Sequence, residues 1–226
     1  MHFTEADIDE LLAAFSRLRR RPTPQRGRGV VAGLIPFEAS SFGKPTIIDE
    51  YRIRLEFSLV KSSALPKAFE EGQRIPAVDD NHVNPGGDLC LGSPLMILQT
   101  LGPNPTLVTF VEKCVVPFLY AASWREKGLP GFPFDELEHG APGLVADYGR
   151  LFSVFGTHQV VMALLLLGKR KRVANKMPCP CGCGRRLAKC AIHSRLTPFR
   201  RFAPRSFYVK QAALILQADG SKRLPS

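Results

Sequence analysis

Long apolar runs are missing from this chain. The longest, residues 160–167, falls far short of the ~20 residues that a membrane-spanning helix needs. A secretory leader is not expected either, because the opening MHFTEADIDELL is acidic and amphipathic instead of basic and then apolar. These two absences lead us to expect a soluble, cytoplasmic protein without membrane insertion. Acids are nearly missing from the C-terminal quarter. Residues 168–226 hold 15 Lys/Arg against one acid, Asp219, a net of +14, whereas residues 1–167 hold 16 Lys/Arg and 19 acids, a net of −3. Internal repeats and recognised nucleic-acid reader motifs are also lacking, and the last point weakens any reading of the whole chain as a nucleic-acid-binding zinc protein.

What is present is ordinary globular material. Hydrophobic residues make up 45% of the 226 and charged residues 23%, enough for one core of average size plus a small appendage. The basic block suits an anionic partner: nucleic acid, ribosome, anionic lipid or an acidic protein face. A solvated tail that keeps the protein soluble accounts for it equally well.

The pattern along the chain predicts an amphipathic helix over 4–20. Thr4 caps it, Ile8, Leu11, Leu12, Phe15 and Leu18 form its apolar stripe, and Pro22 and Pro24 end it. Residues 30–35 form a short apolar run, and 52–59 alternate strictly, as a half-buried strand does. Residues 61–89 are rich in Pro, Gly and polar groups, with no long helix. A helix over 106–124 is expected to be kinked or split by Pro117. A loop over 126–143 and helices over 144–155 and 158–167 follow. The basic stretch Lys169-Arg170-Lys171-Arg172 marks a boundary between domains 1–167 and 168–226, and the Pro-containing tail is expected to fray at its end. Strands grouped before helices predict an α+β fold.

The segment Val83-Asn84-Pro85-Gly86-Gly87-Asp88-Leu89-Cys90-Leu91 is a polar, Gly-rich turn that delivers one cysteine between two leucines. A cysteine so placed can be a nucleophile if its thiol finds a base and the developing oxyanion a donor; His82 and Asn84 are the candidates. A small packed residue is the plainer alternative. This run resembles the active-site segment of the ubiquitin-conjugating enzymes, where a His-Pro-Asn triplet leads through a Gly turn to Ile-Cys-Leu. The order of elements over roughly 1–165 is similar too.

The resemblance implies an antiparallel sheet flanked by helices. It also implies that Cys90 carries a ubiquitin-like modifier as a thioester, received from an activating enzyme and passed to an amine. In that family an asparagine eight residues before the cysteine stabilises the oxyanion. His82 stands at that position here, and divergent bacterial members look alike in this respect. The stretch 132–140, with acids beside His139, also resembles those members. Solvated charges and core aromatics explain it more simply. Cys114, among Val111, Val115 and Phe118, reads as core.

Four cysteines crowd into residues 179–190: Cys179, Cys181, Cys183 and Cys190, with His193 close behind. Clustering without a secretory address favours metal over disulfides, and thiolate and imidazole donors suit zinc. The segment resembles the SEC-C zinc motif, in which Cys-Pro-Cys-Gly-Ser-Gly leads to a cysteine followed at once by Cys or His. Cys179, Cys181 and Cys190 match that pattern. Cys183 replaces its serine and Ala191 its last ligand, so Cys183 or His193 is left to complete the set. Such a closed site implies structural zinc. The competing reading of the whole chain is a non-catalytic adaptor that keeps the fold and docks protein or nucleic acid through this basic module.

Overall fold

A computed structural model describes residues 1–41, 43–62, 64–76, 81–130, 140–218 and 220. The chain divides into two compact units, Met1–Glu136 and Leu137–Ser226.

The first unit opens with α1, Glu5–Ala14. Thr4 caps it reciprocally: its hydroxyl accepts from the Asp7 N–H, and the Asp7 carboxylate accepts from the Thr4 N–H. The helix stops earlier than its apolar stripe predicts. Leu18–Arg20 forms strand β1, pairing with Val31–Gly33, because the sheet gives Leu18 complete burial and tertiary pairing outweighs a weak helix preference.

Strands β2 (Arg28–Ala39) and β3 (Ile47–Ser58) pair antiparallel over their full length, and β4 (Lys67–Glu70) follows, giving a sheet in the order β1-β2-β3-β4. The alternation of β3 puts Tyr51, Ile53, Leu55 and Phe57 into the core.

Helix α2, Pro94–Leu101, is not among the elements that the sequence pattern predicts. Its start is nonetheless well marked, by Ser93 as N-cap and a proline in the first turn. Next come α3 (Leu107–Phe110), a π-helical turn (Val111–Val115) and α4 (Val116–Glu126), with Thr106 as the cap. The disruption expected at Pro117 takes the form of this widened turn, which lies just before the residue that cannot donate a helix hydrogen bond. Length and composition alone would let Leu107–Glu126 cross a membrane. Its apolar side chains, Leu107, Phe110, Val111, Val115 and Leu119, instead lie in the same core as Ile8, Leu11, Ile53 and Leu55.

The second unit contains α5 (Gly140–Phe152), α6 (Thr157–Gly168), α7 (Lys171–Ala174), α8 (Ile192–Leu196) and α9 (Arg205–Ala218). Val160, Val161, Leu164 and Leu167 of α6 are buried, as are Phe207, Tyr208, Ala212 and Ile215 of α9, and the two helices pack together. Tyr148 on α5 donates to Gln211 on α9 at 2.8 Å. The Arg200 guanidinium closes the end of α6, donating to the carbonyls of Leu166, Leu167 and Lys169. The division therefore falls at 136/137, not at the basic stretch after 167, because α5 and α6 need α9 to cover them. Much of the expected tail is this core helix.

Candidate thiol site and candidate metal centre

Residues 82–90 form a small hairpin. Val83 and Leu89 bridge antiparallel, and Asp88 bridges to Phe69 of β4. At the tip the Gly87 N–H donates to the Asn84 carbonyl at 2.7 Å, and Gly87 takes the left-handed step with φ 79, which only glycine adopts without cost. Across the base the Cys90 N–H donates to the His82 carbonyl at 2.7 Å, so the candidate nucleophile and its candidate partner are joined by one backbone hydrogen bond. Leu89 is buried and Leu91 packs on the core, while Cys90 between them is half-buried. His82 has φ 54, a left-handed conformation that costs a non-glycine residue of order 1–3 kcal/mol.

The Asn84 amide donates to Asp88 Oδ2 at 2.9 Å, and Lys67 Nζ donates to Asp88 Oδ1 at 2.9 Å. Asn84 thus holds the hairpin shut, and the buried Asp88 carboxylate ties that hairpin to β4. No sequence pattern singles out Lys67 or Asp88, because their pairing links positions brought together only by folding.

A second polar group braces the chain ahead of His82. Arg74 forks onto both oxygens of Asp49 at 3.0 Å, reaches Glu126 at 2.6 Å and lies 3.9 Å over the Tyr51 ring. Ser123 donates to Asp49 at 2.7 Å, and the Tyr51 hydroxyl donates to Glu126 at 3.0 Å. The hydrogen bond from Arg74 holds the Asp49 carboxyl well below the usual range, whereas burial pushes the Tyr51 phenol up to about 12. Further along, Arg125 on α4 donates to the Asn81 side chain at 2.9 Å, and Asn81 donates to the Pro76 carbonyl at 3.1 Å. The acidic pair Asp79-Asp80 and the stretch 131–139, which includes His139, lie outside the described residues. Cys114 is buried as expected, and burial pushes its thiol up to about 11.

In the second unit the ligand atoms of Cys179, Cys181, Cys183 and Cys190 all lie within 4.8 Å of one another. The sulfurs of Cys179 and Cys181 are 3.2 Å apart and those of Cys181 and Cys190 are 3.6 Å apart. Four Zn–S bonds of about 2.3 Å would set sulfurs about 3.8 Å apart in a tetrahedron, so the cluster has the size for such an ion.

The backbone prepares this knuckle. Cys179 N–H donates to the Arg185 carbonyl and Leu187 N–H to the Met177 carbonyl, both at 2.8 Å, while Gly182 and Gly184 turn the chain at φ 78 and 72. The Cys183 thiol, exposed, is drawn down to about 6 by the Arg185 backbone N–H and then by Cys181; burial pushes Cys179 up. His193 is not among the four. Its Nε2 is buried and finds no hydrogen-bond partner among the described residues. Of the two residues left open for the fourth position, the cluster contains Cys183.

Four close thiols can bind a metal such as zinc. Comparison of the chain with protein-family models, curated proteins and solved structures returns no match.

Proposed function

We propose that Cys90 carries a ubiquitin-like modifier as a thioester, received from an activating enzyme and passed to an amine on a target. The observation that carries this reading is the hairpin, which presents a half-buried cysteine hydrogen-bonded through its backbone to a strained histidine. Its setting supports the same reading: a helix, a four-stranded meander, the cysteine turn and then helices, the order seen in the conjugating enzymes. In this mechanism the Cys90 thiolate attacks the modifier's terminal carbonyl and the activating enzyme's thiol leaves. The target amine then attacks the thioester and Cys90 leaves as thiolate. His82 donates to the oxyanion or takes the amine proton, and Asn84 keeps the turn closed.

The cysteine cluster, in this reading, holds structural zinc through Cys179, Cys181, Cys183 and Cys190. A closed four-thiolate set leaves no open coordination position for chemistry. It supplies folding energy to a segment too short to have its own core.

The test combines the protein with a ubiquitin-like modifier and an activating enzyme able to load it. A reductant-sensitive adduct should map to Cys90 by mass spectrometry and vanish in Cys90→Ala. His82→Ala should still form the adduct but transfer it about 10²–10³-fold more slowly, the usual cost of one oxyanion donor. An adduct that survives Cys90→Ala, or none with an active partner pair, would replace this reading with the adaptor.

A further inference from the structure

The second unit carries a charge that its own fold does not use. Among the described residues 140–218 there are 14 Lys/Arg and one acid, Asp147, and Asp147 is paired with Arg150. Within this unit the other 13 cations therefore have no described carboxylate to pair with. Arg200 has a clear internal task at the end of α6. Arg185, Arg186 and Lys189 have exposed side chains on the knuckle itself. Four thiolates around one zinc would leave the centre with two negative charges, which Arg185, held at Cys183, helps to offset. Arg186 and Lys189 remain facing water.

The apolar surface of the same unit has one conspicuous member. Phe155, in the turn between α5 and α6, is 85% exposed, an unusual position for a large aromatic side chain with no described role in the core. Its backbone N–H donates to Gln159 Oε1 at 2.8 Å. The other end of the Gln159 amide lies beside Gly182, 3.9 Å from where a side chain there would begin. One glutamine thus joins the backbone of the Phe155 turn to the knuckle that carries Arg185, Arg186 and Lys189.

We propose that the Phe155–knuckle face binds single-stranded nucleic acid, with Phe155 stacking on a base and Arg186 and Lys189 pairing with phosphates. An exposed ring on a turn joined to a knuckle with exposed cations suits what a single strand offers, an unstacked base next to a charged backbone. A duplex hides its base faces, and an acidic peptide or lipid headgroup presents charge without a flat ring. This site is separate from the Cys90 chemistry and stands or falls without it.

The test uses the full-length zinc-loaded protein and a fluorescent oligouridylate of about 20 nucleotides, with the matching oligothymidylate, a duplex of equal length, heparin and phosphatidylserine vesicles for comparison. Binding to the single strands should weaken steeply with salt. Phe155→Ala should cost about tenfold in affinity for both single strands, the scale of one lost stack, and leave the salt dependence and the zinc content unchanged. Arg186→Ala and Lys189→Ala should each lower the slope of log affinity against log salt by about one. Preference for the uridylate over the thymidylate would identify RNA as the natural ligand, and equal binding a general single-strand site. Tighter binding to the duplex, to heparin or to vesicles, no effect of Phe155→Ala, or no binding to either single strand would overturn the proposal.

Discussion

Cys183 shows how one side chain can change the make-up of a site. At its position the zinc motif that this segment resembles has serine, and Ala191 stands where that motif has its last ligand. The fold brings the Cys183 thiol into the cluster. If Cys183 is the fourth ligand, Cys183→Ser should weaken zinc binding by well over the roughly 10–100-fold that losing an outer hydrogen-bond partner costs. His193→Ala should leave about one zinc per chain. Elemental analysis of untagged protein, with a chelator competition, measures both; zinc lost from His193→Ala but kept in Cys183→Ser would reverse the assignment. Asn84 has its amide committed to Asp88, so Asn84→Ala is expected to act through the shape of the turn.

Elements are held to one another here by polar clamps as well as by the core. Arg74 joins the segment after β4 to Asp49 on β3 and Glu126 on α4, and Arg125 on α4 reaches Asn81, just before the candidate histidine. Asp49 has its pKa depressed in the folded state by Arg74. Its contribution to stability is therefore fully present above its unfolded pKa of about 3.9 and is lost as pH falls toward the lower folded value. Asp49→Asn should lower the melting temperature at pH 7 by no more than about 1 kcal/mol allows, since the clamp is partly solvated. It should also flatten the decline in stability below about pH 4. Thermal melts of the two proteins from pH 7 to pH 2.5 test this, and parallel curves would show that the clamp has no such role.

For the molecule as a whole, the division at 136/137 has a consequence for fragments. A fragment of residues 168–226 would keep the four cysteines but expose Phe207, Tyr208, Ala212 and Ile215, which are buried in the second unit. A fragment of residues 137–226 keeps α5 and α6 to cover them. With zinc, the longer fragment should melt cooperatively and the shorter one should show no cooperative transition, as circular dichroism and near-ultraviolet spectra can record. Equal folding by the two would place the boundary at the basic stretch after all.

Much of this was legible along the chain because it depends on short-range chemistry. The alternation in β3, the Thr4 and Thr106 caps, the breakage expected at Pro117 and the spacing of the cysteines are local patterns, and periodicity, capping and ligand spacing act over a few residues. The order of strands before helices likewise pointed to an α+β fold.

Only tertiary structure could turn Leu18 from the end of a helix into an edge strand, since its partners lie at residues 31–33. It alone made a core helix of residues 205–218, moved the boundary to 136/137 and brought Arg74 to Asp49 and Glu126. It likewise placed Cys183, not His193, within the cluster. In each case the deciding free energy comes from burial or pairing between distant positions, and a chain read one window at a time holds no record of those contacts.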